Sequence, residues 1–257
     1  MIVDYITVTI YGKPTDATDI DAFLRAWSLH PLIEHEPCET LAAWRPFQSA
    51  WGNDVFRVQW RDSDNWSSLS ISGTGCEIVR DHLPAFIRDN HENVTRIDLA
   101  QDANEHSFSP VAHAANVPAR TKAIIESDTG ETLYIGSRTS DSYVRVYRYK
   151  EPHPRAGNTR VEAEFKRDYA RAVAGLVATD GANSLPVMAW IVRKARLEGH
   201  PMWRQPALES TKPMIANRKP GQDGSAKWLH TVAVPAVRRA LREGVITVEA
   251  ILGEGDK

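Results

Sequence analysis

Tyrosines, arginines and carboxylates fall at alternating positions in three short stretches of this chain. In SYVRVYRY (142–149), Tyr143, Arg145, Tyr147 and Tyr149 take every second place, with Ser142, Val144, Val146 and Arg148 between them. In TRVEAEFKR (159–167), Arg160, Glu162, Glu164 and Lys166 alternate with Val161, Ala163 and Phe165. In TRIDLAQD (95–102), Asp98, Ala100 and Asp102 alternate with Ile97 and Leu99. A period of two puts each set on one face of a strand. If the strands pair, one side of the sheet is apolar and the other displays tyrosines, arginines and acids. Such a face can hold a divalent metal and attack a phosphate. A tyrosine placed in line is the nucleophile, and a covalent phosphotyrosine conserves the bond energy for later rejoining. A free phenol ionises only near pH ~10, so a metal or a nearby arginine must favour the phenolate. Arg145, two residues before Tyr147, shares its face. Mg²⁺ or Mn²⁺ suits oxygen ligands from Asp98 and Glu162. Taken singly, each residue has a plainer role: sheet tyrosines pack, and strand carboxylates pair with neighbouring Arg or Lys, as Glu164 can with Arg160 or Lys166.

Alternation of this kind needs strands, and the rest of the chain reads as what positions them. DYITVTIY (4–11) is a strand, and Thr18 is a candidate N-cap for a helix through Leu29. A turn at Gly52–Asn53 leads into a strand with Val55, Arg57 and Gln59 opposite Phe56, Val58 and Trp60. SSLSISGTG is a strand ending in a glycine turn, and CEIVRDHLPAFIRDN is an amphipathic helix. After TRIDLAQD a partly helical segment runs to Ala119. Strands KAIIES, TLYIGSR and SYVRVYRY follow, and TRVEAEFKR enters the helix DYARAVAGLVA. The order of elements in 1–92 recurs in 93–184, so 1–184 reads as two similar α+β units without a residue-level repeat. Residues 185–257 read as a helical C-terminal region, interrupted by a Pro-, Lys- and Gly-rich loop from Lys212 to Gly224. The expected fold is α+β: a mainly antiparallel sheet with the site on one face and helices on the other.

The chain of 257 residues suffices for one large domain or two small ones. No apolar run approaches the ~20 residues of a membrane helix. The start, MIVDYITVTIYG, reads as a strand and not as a signal peptide. Two cysteines, Cys38 and Cys76, fit a reducing cytoplasm. Net charge is −2, but it is segregated. Residues 1–100 carry 8 Lys and Arg against 15 Asp and Glu, residues 138–171 carry 9 against 5, and residues 185–257 carry 12 against 7. The basic middle segment coincides with the tyrosine strand and points to a phosphate-facing surface including Arg138, Arg148, Arg155, Arg160 and Lys166. There is no GxxxxGK[ST] loop, no strand–GxGxxG–helix and no HExxH, which sets aside nucleotide-fuelled motors, dinucleotide enzymes and zincins. No His-hydrophobic-His triplet occurs either.

The ordered trio TRIDLAQD, TLYIGSRTSDSYVRVYRYK and TRVEAEFKRD resembles the replication initiation factor family of rolling-circle plasmids, phages and related conjugative-element relaxases. Those proteins carry a TRxDLAxD strand, a Y-x-G-x-R-x-S strand ending in R-[IV]-Y, and a RVExExKRD strand. VDYITVTI and SISGTGC are similar to the phage branch, and the likeness spans roughly 1–180. The resemblance implies a site-specific, metal-dependent DNA nickase and ligase working through a 5′-phosphotyrosine. It places the nucleophile at Tyr147, with Arg145 and Lys150 beside it, and the metal ligands at Asp98 and Glu162, with Asp102 and Glu164 near them. The family usually follows its tyrosine with one residue and a lysine. Here Arg148, Tyr149 and then Lys150 follow, which makes Tyr149, and after it Tyr143, alternative nucleophiles. The implied partner is origin DNA, single-stranded or supercoiled, with a host DNA helicase and a second copy of the chain as further candidates and no membrane. A non-catalytic origin-binding regulator on the same fold is the alternative.

Overall fold

The alternating runs pair into one ten-stranded sheet in a computed structural model that describes residues 1–14, 16–103, 109–118, 121–128, 130–149, 156–198 and 211–212. These residues belong to one compact unit, Met1–Ala216. A second unit, Asn217–Lys257, lies outside the described residues, and with it the helices expected beyond Gly224. In chain order the elements are β1 (Ile2–Tyr11), α1 (Ala17–Ala26), α2 (Pro31–His35), β2 (Glu39–Thr40), β3 (Ser49–Gly52), β4 (Phe56–Trp60), β5 (Trp66–Ile71), α3 (Gly73–Ile78) and α4 (Leu83–Asn90). They continue as β6 (Val94–Ala103), α5 (Pro110–His113), β7 (Lys122–Ser127), β8 (Gly130–Ile135), β9 (Ser142–Tyr149), β10 (Thr159–Lys166), α6 (Arg167–Asp180) and α7 (Leu185–Ala195).

Strand order is β2-β3-β4-β5-β1-β6-β10-β9-β8-β7, and the pairing from β1 to β6, β6 to β10, and β10 to β9 is antiparallel. From the central β1–β6 pair outward, each half runs through its own first, fifth, fourth, third and second strand. Alternation decides the faces. Ile6, Leu69, Ile71, Ile97, Leu99, Val144, Val146, Ala163 and Phe165 are buried in one core with Leu24, Phe86, Ile87, Val173, Val187 and Ile191 of the helices. Helix α6 packs on β6 and β10, and α7, where the region beginning at residue 185 starts, packs on β9. Truncating one such buried aliphatic or aromatic side chain to Ala costs about 2–5 kcal/mol. No described helix is long and apolar enough to cross a membrane.

Two local expectations are corrected. The N-cap of α1 is Asp16, whose Oδ1 accepts from the backbone N–H of Thr18 at 2.8 Å and of Asp19 at 3.1 Å, and the helix stops at Ala26. Ser28 enters the left-handed region at φ 57°, and Leu29 N–H returns to the carbonyl of Leu24, closing the helix end. The expected helix from Cys76 to Asn90 is two helices. The first begins within the glycines: Gly75 is helical, and a Cβ there would lie 2.3 Å from the carbonyl oxygen of Val55. Close packing explains that glycine, not a turn. Pro84 then starts α4 afresh.

Candidate functional site

Register carries the alternating polar residues of β6, β10 and β9 into cross-sheet rows. Asp98 faces Glu164, which faces Tyr143; Glu162 faces Arg145; Asp102 faces Arg160, which faces Tyr147. Directly opposed residues of antiparallel strands share a face, so all four carboxylates and all the alternate tyrosines project to the side away from α6 and α7. The expected strand chemistry is therefore assembled on one surface.

Hydrogen bonds then sort the roles. Tyr147 donates its hydroxyl proton to Glu162 Oε2 at 2.9 Å, and Tyr149 donates to Tyr147 Oη at 3.5 Å. The other oxygen of Glu162 accepts from Arg145 Nη2, which also lies 3.7 Å from Asp98 Oδ2. Arg96 grips Asp98 with two parallel bonds of 2.9 and 2.6 Å and reaches Glu164 at 2.9 Å. Glu164 further accepts from Tyr143 at 2.7 Å and pairs with Lys166 at 2.6 Å. Arg160 is buried and divided between Asp102, at 2.5 and 2.8 Å, and Asp4, at 2.8 Å.

Burial pushes the Tyr147 hydroxyl far above its usual range, and the negative charge of Glu162 and the contact with Tyr149 add to it. Burial also raises Tyr143, reinforced by Glu164. Both phenols are thus held protonated at rest. Burial lifts Asp98 to about 7, against the pull of Arg96 and with help from the charges of Glu162 and Glu164. Burial would raise Glu164 too, but Lys166, Tyr143 and Arg96 together hold it below the ordinary carboxylate value. Over this surface opens a cleft of about 650 Å³ lined by Tyr147, Tyr149, Glu162, Arg145, Asp4 and Thr74, among others.

No protein-family model and no curated protein matches the chain. Among solved structures, the rolling circle replication initiator protein from Geobacillus stearothermophilus superposes with a TM-score of 0.57 at 20% identity, over 75% of this chain and 83% of that one. The chain shares its overall fold with that protein. The di-domain ARO/CYC protein StfQ of the steffimycin pathway overlaps with a TM-score of 0.18 at 11% identity and carries no argument.

On this sheet the residues singled out from the sequence separate into groups. Tyr147, Arg145 and Glu162 come together at the cleft, with Tyr149 next to Tyr147; Tyr143 instead serves Glu164. Lys150 and Arg155 lie outside the described residues. Arg160, expected to meet phosphate, has its guanidinium committed to two carboxylates, and Arg148 shares the opposite face of β9 with Val144 and Val146. Arg138 is exposed beside Tyr134, 5.3 Å from its ring centroid, and its carbonyl accepts from Lys166 at 2.9 Å. The expected cation ligands are each held by an arginine: Asp98 lies diagonal to Glu162, and the Arg145 guanidinium stands between them. Among the described residues no three His, Cys, Asp or Glu side chains converge as a metal requires. As arranged, these carboxylates are engaged by guanidinium groups.

Two residues of the site escaped the sequence reading. Arg96 lies two places before Asp98, so the same alternation puts it on the same face. Asp4 reaches this face through a register shift between Val3 and Tyr5 where β1 pairs with β6.

Proposed function

We propose that this chain nicks one strand of DNA and rejoins it through a phosphotyrosine at Tyr147, with Glu162 as the base. The observation that carries the reading is the 2.9 Å hydrogen bond from Tyr147 Oη to Glu162 Oε2 inside an arginine-lined cleft. The shared fold with a rolling-circle replication initiator supports a role in starting replication or transfer of a mobile element. A protonated phenol is a poor nucleophile, so its proton must leave as attack begins, and a carboxylate at hydrogen-bond distance is placed to accept it. In the forward step the proton passes to Glu162 and Tyr147 Oη bonds to phosphorus. The P–O3′ bond breaks, and water protonates the leaving 3′-oxygen. Rejoining is the reverse attack by a 3′-hydroxyl, which gives its proton to water while Glu162 returns a proton to Tyr147.

Arg145 supplies positive charge for the non-bridging oxygens. Its side chain lines the cleft, where its charge can act on those oxygens. Metal dependence is a separate expectation: Asp98 and Glu162 can turn to Mg²⁺ or Mn²⁺ only when Arg145 leaves the space between them. The test is incubation with supercoiled DNA bearing the cognate origin, with and without Mn²⁺. A covalent protein–DNA adduct supports the enzyme. Retention on that DNA without nicking supports the alternative, an origin-binding regulator, which the close ion pairing of the carboxylates also favours.

A further inference from the structure

The first half of the sheet carries no tyrosine–carboxylate set, yet its open face is not featureless. Register links Gly52, Arg57, Ser70, Thr7, Arg96 and Lys166 into one continuous row across β3, β4, β5, β1, β6 and β10. At strand spacings of ~4.8 Å, the row from Arg57 to Lys166 spans roughly 19 Å and ends at the Ser142–Tyr143 end of β9, about 20 Å along the strands from Tyr147. Its floor is small and hydroxylic, with Thr7 Oγ1 and Ser70 Oγ 3.1 Å apart. Each flank of that floor carries an aromatic–guanidinium stack: Arg96 lies 4.3 Å from the Tyr5 ring centroid, and Arg57 lies 4.3 Å from that of Trp44.

Trp44 is the telling residue. It sits on the loop before β3, and its backbone N–H donates to Gln59 Oε1 at 2.8 Å, which fixes the loop over the sheet. Its indole nevertheless remains exposed, at 52%. Arg57 beneath it donates to the carbonyl of Ala42 but makes no ion pair with a carboxylate among the described residues, unlike Arg96, Arg145 and Arg160. An exposed indole stacked on an uncompensated guanidinium offers a base a flat surface and a phosphate a charge. The acidic Glu39, opposite Gly52 on β2, closes the row at the sheet edge.

We infer that this row is a track for single-stranded DNA, with Trp44 and Arg57 clamping a nucleotide several residues away from the one at Tyr147. The inference rests on the strand-transfer reading for its direction, since it takes the track to lead to that tyrosine. The fit is to a single strand because stacking on Trp44 needs an unpaired base face.

The test measures fluorescence anisotropy of labelled mixed-sequence single-stranded oligonucleotides, of 5 and 16 nucleotides, on the full-length Tyr147→Phe chain. Adding Trp44→Ala should weaken binding of the longer oligonucleotide by roughly 5- to 100-fold, the range of one base–aromatic stack, and leave the shorter one little changed. Trp44→Phe should restore most of the loss. Arg57→Gln should lower the slope of log affinity against log salt by about 0.7, one phosphate's worth on a single strand. Unchanged affinity for the longer oligonucleotide in Trp44→Ala, or a loss confined to duplex DNA, overturns the track. Covalent adduct at Tyr147 without any dependence on Trp44 sinks this inference alone. Trp44-dependent binding, together with no adduct from the chain that keeps Tyr147, sinks the nickase reading alone.

Discussion

Glu162→Gln isolates the base from the scaffold around it. The amide keeps the shape of the side chain and an oxygen that can accept from Tyr147, so the 2.9 Å contact has a near-isosteric replacement. What it loses is the capacity to take the phenolic proton. Burial, the largest cause of the raised Tyr147 hydroxyl, persists in the variant, so attack must await a free phenolate or a proton transfer to water. General-base catalysis is worth about 10²–10⁴-fold, or ~3–5 kcal/mol of barrier. The expected result is that fall in the single-turnover rate of adduct formation on origin DNA, read on denaturing gels, with DNA affinity within about threefold of wild type. The pH profile should also change: the variant's rate should keep climbing with pH, as hydroxide substitutes for the missing base. Glu164→Gln is the control, since Glu164 serves Tyr143, Arg96 and Lys166 and not Tyr147. A Glu162→Gln rate within threefold of wild type, or an equal loss in Glu164→Gln, would refute the base assignment.

Arg145→Met removes the guanidinium between Asp98 and Glu162, and the two carboxylates should then accept a divalent cation in its place. Mn²⁺ should raise the Tm of Arg145→Met by several degrees more than that of wild type, and an equal rise in both proteins would contradict the competition. Stability against pH should show two opposite limbs in thermal melts followed by circular dichroism. The depressed Glu164 stabilises the fold above its ordinary carboxylate range and loses that contribution as pH falls through its native pKa, so Glu164→Gln should flatten the acid limb. The raised Asp98 binds its proton more readily in the native state, so its contribution weakens as pH climbs from about 4 to about 7, and Asp98→Asn should flatten that limb.

Alternation made the site's face legible because a period of two survives without any knowledge of pairing partners. Tyr143, Arg145 and Tyr147, like Glu162 and Glu164, could be assigned to a common face from spacing alone. Partners could not be assigned. Whether Glu162 meets Tyr147 or a metal depends on the β9–β10 register and on where the arginines of three strands put their guanidiniums. The insertion of β1 between β5 and β6 is a pairing of distant segments, which local pattern does not encode. It brings Asp4 to Arg160 and so turns an expected phosphate contact into an internal cation. Asp4 was further hidden by the register shift after Val3, which displaces it from simple alternation. The split between α3 and α4 falls where Pro84 starts the second helix, and the glycine turn expected before Cys76 is helical, with the carbonyl of Val55 close beneath Gly75.

The most direct test of the central claim is to trap the covalent adduct on origin DNA, digest it, and locate the nucleotide by mass spectrometry. Tyr147 and Tyr149 lie on one strand face with ring centroids 5.2 Å apart, and Tyr147 donates to Glu162 at 2.9 Å. Tyr147→Phe, run in parallel, should bind DNA normally and yield no adduct. The account predicts the nucleotide on Tyr147, with Tyr149→Phe still forming the adduct. A nucleotide on Tyr149, or an adduct that persists in Tyr147→Phe, would contradict it.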